Sequence, residues 1–125
     1  MDRLQNATLS LLRIMTGFLL MPHGAQKLFG VLEGNTAELV SQRGLAGVLE
    51  FFGGFAVLVG LFTRPVAFVL SGLMAAAYFI AHAPRGFWPI LNGGELAALY
   101  CFVFLFLAAK GGGTWSLDYL LRHKR

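Results

Sequence analysis

Residues 45–82 read LAGVLEFFGGFAVLVGLFTRPVAFVLSGLMAAAYFIAH. The stretch holds two charges, Glu50 and Arg64. Thr63-Arg64-Pro65 divides it, because proline fits an early helical position and pushes the residue before it out of helical geometry. Each half is long enough to cross a bilayer core, which takes about 20 apolar residues of helix, with a range of about 17–25. Two spans joined by a tight turn are the expected result, Leu45 to Phe62 and Val66 to His82.

Working outward, Ala7 to Phe29 reads as a first span, stopped by Gly30 and Gly34. Gly94 to Ala109 reads as a fourth, opened by Asn92-Gly93-Gly94-Glu95. Arg3 followed by an apolar stretch resembles a secretion signal. Arg13 interrupts that stretch and no small-x-small site follows, so an uncleaved first helix is expected. The fold class is therefore all-α, an integral membrane four-helix bundle forming one domain over 1–125. Asn35 and Glu38 have capping-box spacing, which predicts a short surface helix from Thr36 to Arg43 in the first outer loop. Beyond Gly111-Gly112-Gly113, Thr114 is expected to cap a short C-terminal helix through Leu121. Trp115, Leu117, Leu120 and Leu121 suit it to an interface.

Composition agrees. Hydrophobic residues make up 57% of the 125-residue chain and charged residues 13%, against about 25% charged in soluble domains. The net charge of +4 does not indicate nucleic acid, since no basic face is interleaved with polar surface. The single cysteine, Cys101, excludes an internal disulfide and a C-x-x-C motif. Basic residues set orientation. Arg3, Arg64, Lys110, Arg122, Lys124 and Arg125 fall on one side, and Lys27, Arg43 and Arg85 on the other. Both termini are expected in the cytoplasm of a bacterial inner (plasma) membrane protein.

Charges within spans usually face a bundle interior or an aqueous cavity. His23 and Lys27 close the first span, Glu50 lies near the start of the second, His82 closes the third, and Glu95 opens the fourth. All five fall at one level, the outer end, and form the candidate ligand-binding cluster. Asn92 and Arg13 are secondary candidates. Arg13 shares a helix face with His23 and Lys27 but lies about 21 Å from Lys27 along the axis. Gly47 and Gly54 share a face with Glu50 and permit a close neighbour.

Each residue has a structural alternative. Glu95 fits a capping box with Asn92. Lys27 and Arg13 can snorkel to headgroups. His82 can be an ordinary interfacial histidine, and His23 can face water beside Pro22. Glu50, among Leu49, Phe51 and Phe52, needs a partner, and a purely structural pair with Lys27 or His23 would supply one. No metal is expected: Glu-x-x-His pairs are absent, and two histidines alone do not indicate haem. No catalytic residue is identified.

The pattern Arg13…Gly17-Phe18…His23-Gly24-Ala25-Gln26-Lys27-Leu28-Phe29-Gly30, then Gly44-Leu45-Ala46-Gly47…Glu50-Phe51-Phe52-Gly53-Gly54, Gly60-Leu61-Phe62-Thr63-Arg64-Pro65, Ala81-His82 and Asn92-Gly93-Gly94-Glu95-Leu96-Ala97 resembles the DoxX family of small bacterial four-helix membrane proteins. The resemblance runs from Leu11 to Leu120. It implies a link to quinone-related redox systems, including terminal quinol oxidases, thiosulfate–quinone oxidoreductases, and quinone or catechol stress.

Two functions follow as expectations. One is a quinone-handling or redox-accessory protein. His23, Lys27 or His82 would donate to quinone carbonyls, Glu50 or Glu95 would pass protons, and Phe51, Phe52, Phe87 or Trp88 would flank the ring. Electrons would come from a redox partner or bound cofactor. The other is a non-catalytic structural or partner-binding subunit. The partners expected are lipid, quinone or a redox protein, and a second copy of the chain. Transport of a small solute or proton is a lesser reading, since four helices are few for a transporter.

Overall fold

The computed structural model describes residues 2–32, 34, 36 and 41–123, and all regular structure among them is helical, with no strand. Helix α1 spans Arg3–Phe29 and α2 spans Gln42–Val59. Helix α3 spans Thr63–Ala77 and continues through a π-helical turn, Tyr78–His82, and a 3₁₀ turn, Ala83–Arg85. The one-turn α4, Pro89–Asn92, leads into α5, Glu95–Lys110, and α6, Leu117–His123, follows.

The boundaries have local causes. Asp2 caps α1: its side chain accepts from the Gln5 amide at 2.8 Å while Gln5 accepts from the Asp2 amide at 3.1 Å, a reciprocal capping box. This starts the helix four residues before the expected Ala7. Gly30 ends it in the left-handed region (φ 68°), where glycine carries no steric penalty. Ser41 caps α2 through the Gly44 amide at 3.0 Å, so Gln42 and Arg43 belong to α2 and not to a surface helix. Asn35, Glu38 and the centre of that expected helix lie outside the described residues, as do Lys124 and Arg125. The turn after α2 also departs from expectation. It falls at Gly60-Leu61-Phe62, and Thr63-Arg64-Pro65 forms the first turn of α3.

Among the described residues, three helical stretches are long and apolar enough to cross a membrane: Arg3–Phe29, Gln42–Val59 and Thr63–Arg85. Helix α5 is shorter, at 16 residues, with charges only at its ends. Helix α1 packs chiefly on α2, and α3 chiefly on α5. The α1–α2 contact runs over glycines. A Cβ at Gly17 would come within 2.6 Å of the Gly54 carbonyl oxygen, and one at Gly24 within 2.4 Å of the Phe51 amide nitrogen. Only a hydrogen there permits that approach. Ser71 ties α3 to α5, donating to the Cys101 carbonyl at 2.7 Å.

The interior combines an apolar cluster, including Leu20, Val57, Leu70, Phe104 and Leu107, with buried Ser10, Arg13, Thr16, Glu50, Ser71 and Asn92. Large apolar side chains cover the outside, among them Phe18, Phe52, Phe68 and Phe102, each more than half exposed. Contiguous exposed apolar surface on this scale marks a lipid or partner contact.

Candidate functional site

Ionisable side chains gather at both ends of the helices, with different surroundings. At the end where the chain begins, Arg13 is 1% exposed. Its guanidinium donates to the carbonyls of Val57 at 2.9 Å, Leu58 at 3.5 Å and Trp115 at 2.8 Å, and also to that of Gly112. The planar fork of five N–H groups suits several carbonyls at once. Arg13 therefore does not snorkel to headgroups and does not join the other candidates. It fastens Gly112 and Trp115 against the end of α2. Ser116, not Thr114, caps α6, accepting from the Tyr119 amide at 3.2 Å.

At the opposite end, His23, Lys27, Glu50 and His82 line one cavity of about 320 Å³. Gly24 and Gly47 let α1 and α2 close here, which sets Lys27 opposite Glu50. Lys27 Nζ lies 2.5 Å from Glu50 Oε1. Glu50 is nearly fully buried, and its second oxygen, Oε2, has no hydrogen-bond partner. His23 sits at the exposed rim. Leu20, Met74, Ala77, Leu96 and Ala97 supply apolar wall.

The π-helical turn brings in His82. The Ala83 amide reaches back to the Tyr78 carbonyl, a wider turn of a kind frequent at functional sites. His82 Nδ1 then lies 3.2 Å from the Asn92 carbonyl oxygen. Gly94 permits this packing, since a Cβ there would meet the Tyr78 ring at 2.7 Å and His82 Cβ at 2.8 Å. Asn92 is buried and occupied: Nδ2 donates to Tyr78 Oη at 3.1 Å and to the Gly86 carbonyl at 2.9 Å, and Oδ1 accepts from the Gly94 amide at 2.8 Å. It organises the loop. The capping box with Glu95 does not form, because the N-cap of α5 is Gly94, which offers no side chain, and not Asn92.

Glu95 lies apart. It is exposed and lines a separate groove with Pro89, Leu96 and Phe102. The four aromatics expected to flank a ring, Phe51, Phe52, Phe87 and Trp88, do not line the cavity. Phe51 meets Phe29 and Phe52 edge-on, with ring centroids 5.4 and 5.1 Å apart. The aromatic residue in the cavity wall is Tyr100 of α5, whose buried Oη lacks a hydrogen-bond partner. The sequence reading missed Tyr100. The available signal was a lone phenol in the apolar run from Leu96 to Ala109.

The cavity thus combines a lysine, a carboxylate, two imidazoles and a phenol with apolar walls. It offers hydrogen-bond donors, acceptors and proton carriers to a small amphipathic molecule.

The family model of DoxX matches residues 8–83. A protein of Haemophilus influenzae described as uncharacterized is 42% identical over 88% of this chain and 87% of its own length. Inner membrane protein YqjF of Escherichia coli is 28% identical over 99% of each chain. No solved structure matches. The family match together with the three apolar helices makes this an integral membrane protein, and the chain belongs to the DoxX family.

Proposed function

We propose that this protein is a quinone-handling accessory component of a redox system in a bacterial inner membrane. The observation that carries this reading is the cavity, where ionisable groups from α1, α2 and the π-helical turn after α3 meet beside apolar walls. A volume of about 320 Å³ is at the small end of ligand sites, which run from about 300 to 1,000 Å³, and suits a single ring. Lys27 and Tyr100 would orient ring oxygens. Glu50 and the histidines would hold or pass protons as the ring changes redox state. Electrons would come from a partner protein or its cofactor.

In this reading α5 is the fourth span, the chain is one four-helix domain, and both termini face the cytoplasm. The balance of lysine and arginine supports that orientation, and the inner-membrane name of the Escherichia coli relative supports the location. The cavity then opens toward the outer face. The test is native mass spectrometry of protein extracted gently from its own membrane, with analysis of retained lipids. A stoichiometric quinone or its quinol, lost in His23→Ala, is the expected outcome. Retention of bulk phospholipid alone would rule the reading out.

The Lys27–Glu50 pair also favours a second reading, a non-catalytic partner subunit whose charges fix helix register. A thermal-shift comparison separates the two. In the structural case Glu50→Gln lowers the melting temperature, and added quinone stabilises neither version. Ligand stabilisation of the wild type, which grows with ligand concentration, supports the redox reading.

A further inference from the structure

If the cavity is a ring site as proposed above, its unpartnered groups define which redox form it takes. His82 Nδ1 lies 3.2 Å from the Asn92 carbonyl oxygen. A carbonyl only accepts, so Nδ1 carries the proton of this bond. In the neutral ring, Nε2 is then a bare lone pair. Glu50 has committed Oε1 to Lys27, and Oε2 is buried without a partner. A carboxylate oxygen also only accepts. Two cavity-lining residues therefore carry acceptors, and the buried one, Glu50 Oε2, needs a proton from an occupant.

The other polar groups do not reverse this. Tyr100 Oη is likewise unpartnered, but a phenol both donates and accepts. The remaining Lys27 protons can serve a hydroxyl oxygen as well as a carbonyl oxygen. The discrimination lies first with the buried Glu50 Oε2, with the His82 ring of the cavity lining beside it. We propose that the cavity selects the dihydroxy form of a single aromatic ring over its dicarbonyl form. A hydroquinone or catechol hydroxyl donates one proton and still accepts. A quinone carbonyl only accepts, and would set its lone pairs against that of Glu50 Oε2, leaving a buried acceptor unmatched. Leu20, Met74 and Ala97 of the wall contact either form alike and contribute no preference.

The test is calorimetric titration of the purified, detergent-solubilised full chain without oxygen. The probes are 2,3-dimethoxy-5-methyl-1,4-benzoquinone and its hydroquinone, the latter kept reduced with ascorbate. The hydroquinone is expected to bind at least about tenfold more tightly, the effect of one hydrogen bond to a charged acceptor. Glu50→Gln places an amide donor beside the ring and should bring the ratio close to one. Should Glu50→Gln fail to fold, His82→Leu removes the other lone pair and should narrow the ratio as well. Equal or tighter binding of the quinone overturns the preference while leaving the quinone-handling function standing. Binding of neither probe overturns both. A preference unchanged in a folded variant overturns the selecting role of Glu50 Oε2 and His82 Nε2.

Discussion

The carboxylate of Asp118 caps the start of α3 at Thr63, a residue 55 positions earlier: it accepts the amides of Phe62 at 2.7 Å and Thr63 at 2.8 Å. Phe62 itself is left-handed, at φ 49°, and supplies no side-chain cap. Such a conformation is unfavourable for a residue with a Cβ. The tail thus provides what the local sequence lacks, and the Asp118 amide returns a bond to the Gly60 carbonyl at 2.9 Å.

Asp118→Ala should lower stability by about 1–2 kcal/mol, the usual loss of an N-cap. Asp118→Asn keeps an acceptor oxygen and should lose less. Thermal unfolding in detergent measures both. Limited proteolysis should cut the alanine variant faster between Gly111 and Trp115. Identical melting of Asp118→Ala and wild type would contradict the capping role.

Arg13 holds the same tail from the other side. Its removal leaves four carbonyl contacts to be rebuilt in an interior shielded from water. Arg13→Ala should lose about 3 kcal/mol or more, because hydrogen bonds to charged groups contribute more than neutral ones. Arg13→Lys keeps the charge but not the planar fork and should fall between the two. Unfolding by added sodium dodecyl sulfate gives the order wild type, lysine, alanine. An alanine variant as stable as wild type would make the guanidinium incidental.

The long helices were legible because each is an apolar run punctuated by glycine or proline, and their ends fall within about four residues of expectation, the usual error for element ends. The grouping of His23, Lys27, Glu50 and His82 was legible from depth alone, since antiparallel helices bring those positions to one level. Glu95 shared the level but not the direction. Its helix face depends on how α5 packs against α3, and α5 is apolar all round, so no polar stripe marks its inner side. The π-helical turn was hidden because Tyr78–His82 carries no residue that forces it. Asp118 and Arg13 found partners 44 and more residues away, beyond any local pattern.

The glycine contact of α1 with α2 sets the geometry of the Lys27–Glu50 pair. Gly24→Ala drives a methyl into the backbone of Phe51, within 2.4 Å of its nitrogen. The helices must separate, at a cost of about 1–3 kcal/mol for an overpacked interior, and the pair should lengthen with them. Gly72 is the control. It is exposed, and a Cβ there meets nothing within 4 Å. Gly72→Ala should leave stability unchanged or raise it by about 0.5–1 kcal/mol through helix propensity. Comparable losses at both positions would show that the close approach is not limiting.

Glu50 and Tyr100 separate a built site from a built fold. Lys27→Met leaves the buried Glu50 carboxylate without its cation and should destabilise strongly. Glu50→Gln removes the charge, and the two together should cost less than their sum, with a coupling of about 0.5–3 kcal/mol. Such a result shows the pair is formed but says nothing of ligand. Tyr100 supplies the missing contrast, because its buried Oη holds no hydrogen bond. A buried hydroxyl without a partner is a cost to folding, so Tyr100→Phe should melt at or above the wild-type temperature. If the phenol serves an occupant of the cavity, the same variant should weaken hydroquinone binding several-fold. Unchanged binding in a stable Tyr100→Phe protein would remove Tyr100 from the site and leave recognition to Lys27, Glu50 and the two histidines.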